Sequence, residues 1–287
     1  ILVIGFMSNI IAQARASYER ISSVLETPEV EHRGSITTPI KGEIDLKDIN
    51  LSYGQKPILK NISFSVAAGS RTAVLGPTAA GKSQLLYLLT GLVPPDSGTI
   101  NYDMHPISEY RTEGFYEQVG FVFQDSIIFN MSIRENIAFS DTVTDASLAK
   151  ALETAELQSF LKELPDGLDT IVSERGSSLS GGQKQRIMLA RALAIDPKVL
   201  LLDDFTARVD NHTEKKILGN IKKNYPDLTL VSVTQKIASV ADYEQIILIM
   251  QGEMIASGTH QELMGTCPEY VQIFHSQQST SNYELSA

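Results

Sequence analysis

The chain has 287 residues, of which 43% are hydrophobic and 20% are charged, as in ordinary globular α/β proteins. This length allows one large domain or two modest ones. The net charge of −10 argues against a nucleic-acid partner, because neutralising phosphates requires clustered Lys and Arg. A single cysteine, Cys267, excludes an internal disulfide framework and indicates a reducing compartment.

Residues 1–26 are predicted to form a helix with an apolar beginning. Residues 1–7 are apolar, but this run is far shorter than the ~20 residues that cross a bilayer, and it lacks the basic segment of a signal peptide. Residues 8–26 continue with apolar side chains at helical spacing until Thr27 and Pro28 stop the pattern. We expect the chain to begin partway through a membrane helix, with an ordinary buried helix as the alternative.

Two polar segments are predicted to lie outside the folded core. Residues 27–41 contain Gly34 and Pro39 and are typical of a linker. Residues 276–287 are mostly polar and are expected to form a disordered tail.

Between these segments, short apolar stretches alternate with longer amphipathic ones. Strands are predicted at 43–49, 62–66, 71–75, 199–202, 228–233 and 246–250. Helices are predicted at 82–91, 145–163 and 181–195. The alternation implies an α/β fold with a mainly parallel sheet covered on both faces.

A phosphate-binding loop is the strongest motif in the chain. The pattern G-x-x-x-x-G-K-[ST] lies between a predicted strand and a predicted helix, the context in which its N–H groups and the helix N-terminus face phosphates. Lys82 would reach the β- and γ-phosphates of a nucleotide, and Ser83 would ligate Mg²⁺. The residues assigned to nucleotide binding here are Gly76, Pro77, Thr78, Ala79, Ala80, Gly81, Lys82, Ser83 and Gln84.

Two further motifs follow along the chain. Asp203 and Asp204 end the apolar strand at 199–202, where doubly wound folds bring strand ends beside the phosphate loop, and Asp203 can there hold Mg²⁺ directly or through water. Upstream of them, a Leu-Ser-Gly-Gly-Gln sequence opens a helix whose N-terminus can bind an anion. Its candidate binding residues are Ser180, Gly181, Gly182 and Gln183.

These three motifs, in the chain order phosphate loop, Leu-Ser-Gly-Gly-Gln and acidic pair, resemble the ATP-binding cassette of ABC transporters, over roughly residues 42–265. The resemblance implies ATP and Mg²⁺ as cofactors and a P-loop cassette at 42–275. This cassette would have an N-terminal antiparallel β portion and a helical subdomain at about 125–185. Residues 1–26 resemble the cytoplasmic end of the last membrane helix of ABC exporters, which runs into the cassette.

The resemblance also implies roles for residues that no pattern alone would single out. Tyr53 matches the aromatic residue that stacks on adenine, although a Tyr at a strand end is usually part of the core. Gln124 matches the glutamine that senses Mg²⁺ and the attacking water and couples the cassette to the membrane domain. The segment 173–176 resembles one that touches the membrane domain's intracellular loops, and Asp210 fits the loop between cassettes.

Three positions at the predicted ATP site depart from the family pattern. Asp204 stands where the general base is usually Glu, and its side chain is one methylene, roughly 1.5 Å, shorter. Gln235 stands where the family has a His that contacts the γ-phosphate and the water, and Gln cannot titrate. Ala79 replaces a common Gly, which is harmless if its φ is negative. We therefore expect a site that binds ATP well and hydrolyses it poorly.

The resemblance implies a transport-coupled ATPase that forms one half of a heterodimeric exporter. The cassette would lie on the cytoplasmic side of a membrane, with a transmembrane domain and a second half-transporter as partners and no nucleic acid. The Leu-Ser-Gly-Gly-Gln motif would complete the partner's site, where most hydrolysis would occur. Three alternatives remain: a soluble ABC ATPase, which the acidic charge and apolar N-terminus disfavour; an importer cassette; and a regulatory, non-hydrolytic cassette, which the intact motif disfavours.

Overall fold

The computed structural model describes residues 2–26, 34–172, 176 and 178–284. Contacts divide the chain into two units, Ile1–Arg33 and Gly34–Ala287. The first contains helix α1 (Leu2–Leu25), so the predicted helix is present and ends close to the expected place. We find no helix in the described ranges, α1 included, with the length and apolar character that crossing a bilayer requires.

The strands of the second unit include several that periodicity alone did not indicate. In chain order they are β1 (Ile44–Tyr53), β2 (Lys56–Val66), β3 (Arg71–Leu75), β4 (Ser97–Tyr102), β5 (His105–Pro106), β6 (Val119–Val122), β7 (Val199–Asp203), β8 (Thr229–Thr234), β9 (Gln245–Met250) and β10 (Glu253–Gly258). The helices are α2 (Lys82–Leu89), α3 (Thr112–Tyr116), α4 (Ile133–Ile137), α5 (Asp145–Thr154), α6 (Gln158–Lys162), α7 (Gly181–Ala194), α8 (Asn211–Asn224), α9 (His260–Thr266) and α10 (Pro268–Glu284).

Two sheets organise this unit. An antiparallel sheet has the order β2-β1-β4-β5, and a second sheet has the order β10-β9-β3-β8-β7-β6. In the second sheet the inner pairs are parallel, and only β10 runs antiparallel to β9. All five residues of β7 are buried, as expected for a strand covered on both faces. The predicted α/β architecture, with its antiparallel portion and its helical part, is confirmed.

The register of the parallel strands brings the carboxyl ends of three strands together at one edge of the sheet. Leu75 pairs with Thr234 in β8, and Asp203 pairs with Val233 in the same strand. The carboxyl ends of β3, β7 and β8 therefore meet, and the loops that leave them lie side by side. This edge is where open α/β sheets bind ligands.

Three parts of the chain differ from the sequence-based expectation. The predicted helix at 145–163 is interrupted, because Glu156 adopts a left-handed φ of 54° between α5 and α6. One residue of the expected linker belongs to the core: Ile40 is buried, and its N–H donates to Gln118 Oε1 at 2.8 Å. The expected tail is also helical, since α10 continues to Glu284. Residues 27–33 and 285–287 lie outside the described ranges.

Candidate functional site

The phosphate loop joins β3 to α2 and has a backbone that only glycine permits at two positions. Gly76 has φ 155°, and a Cβ there would collide with the carbonyl oxygen of Ile249 in β9. Gly81 has φ 95°, and a Cβ there would lie 2.7 Å from Leu59 Cδ2. The loop is therefore pressed against neighbouring strands, which holds its N–H groups in a fixed arrangement before any nucleotide binds.

Ala79 does not have the negative φ that would make this replacement of glycine harmless. Its φ is +64°, in the left-handed region, where an L-residue is strained by about 1–2 kcal/mol. The side chain is exposed, so this strain is confined to the backbone and does not come from a clash with a buried neighbour. The expectation of a negative φ is wrong, and the loop keeps its turn at an energetic cost.

Lys82 lies at the start of α2 and is 8% exposed. Its Nζ donates to two carbonyl oxygens of its own loop, to Gly76 O at 2.8 Å and to Pro77 O at 2.7 Å. Burial lowers the pKa of Lys82, while the nearby carboxylates of Asp204 and Asp203 act in the opposite direction. Charge-assisted bonds to phosphate oxygens are stronger than bonds to carbonyls, so this cation is positioned to exchange one for the other.

Ser83 and Asp203 form the part of the site that suits a metal ion. Ser83 Oγ donates to Asp203 Oδ1 at 3.0 Å, and Asp203 is 1% exposed. Within the described chain, Asp203 Oδ2 is buried and has no hydrogen-bond partner. Burial raises the pKa of Asp203, and the Ser83 hydrogen bond and the Lys82 charge partly offset this rise. A buried carboxylate oxygen without a partner is costly unless a cation satisfies it.

This donor set fits Mg²⁺ bound together with a nucleotide. The described residues contain no group of three or more His, Cys, Asp or Glu side chains that could cage a metal. Mg²⁺ is typically held by one or two protein oxygens, with phosphates and water completing the octahedron. Ser83 and Asp203 supply such a pair.

Asp204 follows β7 on a constrained backbone. Its φ is 45°, its N–H donates to Val233 O at 3.0 Å, and its carbonyl accepts from the N–H of Ala207 at 3.1 Å. Burial raises the pKa of Asp204, and the charges of Lys82 and Lys236 oppose the rise. Because both backbone polar groups are engaged, the main chain cannot easily shift to compensate for the short side chain.

Gln235 follows β8 and lies beside the phosphate loop. A cavity of about 200 Å³ is lined by Gly76, Pro77 and Gln235 together with apolar side chains. The Gln235 carbonyl accepts a hydrogen bond from Gln277 Nε2 at 2.6 Å. The next residue, Lys236, reaches the buried Glu214 Oε2 at 3.2 Å. The loop is thus tied to both α8 and α10.

Tyr53 and Gln124 lie on the exposed rim of the site. Tyr53, at the end of β1, is 50% exposed, and its hydroxyl donates to Gln84 Oε1 on α2, which brings the two predicted binding residues together. Gln124 is exposed, and its carbonyl accepts from Gln185 Nε2 at 2.9 Å. The ring of Tyr53 and the amide of Gln124 are therefore accessible to a ligand.

Among the described residues, no hydrogen bond joins the Leu-Ser-Gly-Gly-Gln motif to the phosphate loop. Ser180 caps α7: its Oγ accepts from Gln183 N at 3.2 Å, while Gln183 Oε1 accepts from Ser180 N at 2.7 Å. A Cβ on Gly182 would lie 2.9 Å from Arg208 O, whereas one on Gly181 would meet only the Arg208 side chain, at 3.4 Å or more. The exposed Ser180 and Gly181 leave the helix N-terminus open to a ligand from outside.

The structure bears on two further sequence assignments, Asp210 and the segment 173–176. The carboxylate of Asp210 caps α8, accepting from His212 N and Thr213 N, and these bonds lower its pKa. Of the segment 173–176, only Gly176 lies within the described residues. Sequence reasoning missed Gln277, because it stands in a polar stretch with no motif around it.

Comparisons with known proteins agree with this geometry. The family model described as ABC transporter matches residues 59–207. YfiB of Bacillus subtilis (strain 168), an uncharacterised ABC transporter ATP-binding protein, is 40% identical over 95% of this chain and 48% of its own length. An ATP-dependent lipid A-core flippase of Desulfotalea psychrophila (strain LSv54 / DSM 12343) is 32% identical over 94% of this chain and 48% of its own.

A solved structure gives the same result at the level of the fold. It is a bacterial Atm1-family ABC exporter with ATP bound, which superposes with a TM-score of 0.85 at 31% identity over 96% of this chain and 49% of that one. The chain spans about half the length of the relatives it matches. It belongs to the ABC transporter family, and its second unit has the fold of the family's ATP-binding cassette.

Proposed function

We propose that this chain is the ATP-binding cassette of one half of an ABC exporter, binding Mg-ATP and driving export across a membrane together with a second cassette. The names of the relatives support this, since one is a lipid A-core flippase and another an exporter solved with ATP. The other half of these relatives would correspond to a membrane domain, with the cassette on its cytoplasmic side.

Different site residues would contact different parts of the nucleotide. Tyr53 would stack on the base, and Lys82 would neutralise the β- and γ-phosphates. Mg²⁺ would bridge the phosphates and offset their charge, with Ser83, Asp203 and Gln124 around it. Phosphoryl transfer depends mainly on positioning and charge neutralisation, so a cassette can keep these parts and still be slow.

Slow turnover at this chain's own site rests on one observation, the placement of Asp204. Its backbone is held at φ 45° by bonds to Val233 and Ala207, so the shorter side chain is not offset by a movement of the main chain. A general base must come within about 2.6–3.2 Å of the proton it polarises, and such catalysis supplies roughly 10²–10⁴-fold. Gln235 adds a second deficit, since it cannot carry charge.

Exposure of Ser180 and Gly181 in the Leu-Ser-Gly-Gly-Gln motif supports a role in a partner's site. Ser180 and Gln183 satisfy each other in a capping box, and the N-terminus of the 14-residue helix α7 faces outward. A helix N-terminus of this kind binds anions. We therefore propose that it receives the γ-phosphate held by a second, more active cassette in a heterodimer.

An exposed aromatic patch supports a membrane-domain partner. Phe129 and Phe139 stack with centroids 5.2 Å apart and are 39% and 60% exposed, and Ile127 beside them is 53% exposed. Arg191 lies over Phe129 and donates to the Ile127 carbonyl, which fixes this surface in place. The patch follows Gln124 in the chain. Exposed apolar surface of this kind marks an interaction site.

The heterodimer proposal is tested with the complete exporter and a wild-type partner. Gly181→Asp places a carboxylate where the partner's γ-phosphate would dock, and the space at Gly181 accepts a side chain. Gly181→Asn is the neutral control of similar shape. Asp204→Asn removes only this chain's own poorly placed base. We expect Gly181→Asp to abolish nearly all ATPase activity and transport, Gly181→Asn to be milder, and Asp204→Asn to retain much of both. Equal, severe losses in Gly181→Asp and Asp204→Asn would show that both sites hydrolyse.

A further inference from the structure

Gln277 on α10 makes two opposed hydrogen bonds to a single loop of the nucleotide site. Its Nε2 donates to the carbonyl of Gln235 at 2.6 Å, and its Oε1 accepts from the N–H of Ile237 at 3.0 Å. One side-chain amide therefore engages main-chain groups on both sides of Lys236. A bidentate contact of this kind fixes the orientation of the loop as well as its position, because both bonds must be satisfied together.

The loop that Gln277 holds begins beside the position expected for the nucleotide's phosphates. Thr234, the last residue of β8, pairs with Leu75, and Leu75 precedes Gly76 of the phosphate loop. Gln235, the next residue, lines the same cavity as Gly76 and Pro77. A small displacement of this loop would move the Gln235 side chain relative to a bound γ-phosphate.

Because there is open space beside the loop, the two Gln277 hydrogen bonds matter for keeping the loop in place. The cavity of about 200 Å³ has apolar walls that include Leu248, Met250 and Ile273. This pocket is partly open to solvent, so close packing does not hold the loop on that side. Without its anchor, the loop would have room to move toward the cavity.

Helix α10 gives Gln277 a rigid base. Tyr270 is fully buried, and its hydroxyl lies 2.8 Å from His260 Nδ1. Ile273 and Phe274 pack against the core one turn later. Because Tyr270, Ile273 and Gln277 are spaced by three and seven residues, they share one face of the helix. The packed first half of α10 therefore sets the position of Gln277.

We infer that Gln277 is a positioning residue for the nucleotide site, holding the Gln235 loop where it can distinguish ATP from ADP. The inference rests on the proposed function, since it assumes that this site binds Mg-ATP. It assigns α10 to the support of the site. Loosening the loop should weaken the contact to the γ-phosphate and leave the contacts to the rest of the nucleotide unchanged.

The test measures the dissociation constants of Mg-ATP and Mg-ADP for the 287-residue chain by calorimetry. Gln277→Ala removes both hydrogen bonds, and Gln277→Glu keeps the acceptor but turns a carboxylate oxygen toward the Gln235 carbonyl. Gln278→Ala is the matched control, an exposed glutamine on the same helix. We expect both Gln277 variants, and Gln235→Ala with them, to lose at least threefold of the preference for ATP over ADP, while Gln278→Ala should behave as the unchanged chain.

The outcomes separate this inference from the proposed function. If the unchanged chain fails to bind Mg-ATP, the proposed function is wrong. If it binds with a preference for ATP that survives in Gln277→Ala, the inference alone is overturned. An equal loss of affinity for both nucleotides, together with a lower Tm in thermal unfolding, would mean that Gln277 serves only the fold, and it would also overturn the inference.

Discussion

Replacing Ala79 with glycine should stabilise the chain, which is unusual for a change that removes a side chain. Ala79 has φ +64°, a conformation that glycine adopts freely, and its methyl group is exposed. Its neighbour Ala80 offers a matched control, because it has a negative φ and is 2% exposed. The same chemical change, one residue apart, should therefore have opposite effects on stability.

The magnitudes follow from these two environments. Ala79→Gly removes about 1–2 kcal/mol of left-handed strain. Glycine also makes the unfolded chain more flexible, which lowers the unfolding free energy by about 0.4–1 kcal/mol. The net gain in unfolding free energy is about 0.5–1 kcal/mol, or about 2 °C in Tm for a domain of this size. Ala80→Gly loses a buried methyl group worth about 0.8 kcal/mol and carries the same entropic term, so it should destabilise by about 1–2 kcal/mol.

Both variants are measured without nucleotide, by urea unfolding followed by circular dichroism and by thermal scans. The unfolding free energies of the two variants should differ by about 2 kcal/mol, with Ala79→Gly above the unchanged chain. A fall in stability on Ala79→Gly similar to that on Ala80→Gly would refute the reasoning, because it would mean that the Ala79 backbone is not strained.

Two further predictions concern the acidic residues at the end of β7. Asp204→Glu alone should raise single-site ATP turnover only in part, and adding Gln235→His should raise it further; full activity with Asp204→Glu alone would show that Gln235 is no defect. Burial raises the pKa of Asp203 above its ordinary value, so its ionised form opposes folding; this penalty is absent below the ordinary pKa, grows as the pH rises from there to the raised folded-state pKa, and is complete above it. Without Mg²⁺ and nucleotide, Asp203→Asn should therefore gain more unfolding free energy relative to the unchanged chain at about pH 7.5 than at about pH 4. A pH-independent difference would contradict this.

Much of the site could be read from short stretches of sequence, because its parts are local. The phosphate loop needs a buried strand before it and a helix after it, and both are encoded by the apolar pattern around Lys82 and Ser83. Asp203 lies at a strand end for the same reason, and its 3.0 Å contact with Ser83 follows from the general geometry of parallel sheets. The α/β class likewise followed from the alternation of elements.

What the sequence alone could not indicate depends on residues far apart in the chain. The strands β4 and β6 were not predicted, and it is their pairing with β1 and β7, which lie far away in the chain, that makes them strands. Residues 276–287 were predicted to be disordered from their polar composition, yet α10 (Pro268–Glu284) continues into them and its Gln277 bonds to the loop after β8.

The phosphate loop shows the same contrast between what local sequence determines and what the folded structure determines. Its residues could be picked out, and phosphate binding predicted for them, from the sequence, because the glycines, the lysine and the serine would act through local backbone and charge. The sign of φ at Ala79 was not, since a single residue's side chain only biases its backbone, and the surrounding fold decides the rest. Gly76 shows the cause: its backbone is pressed against Ile249, a residue of β9 that only the folded sheet brings there.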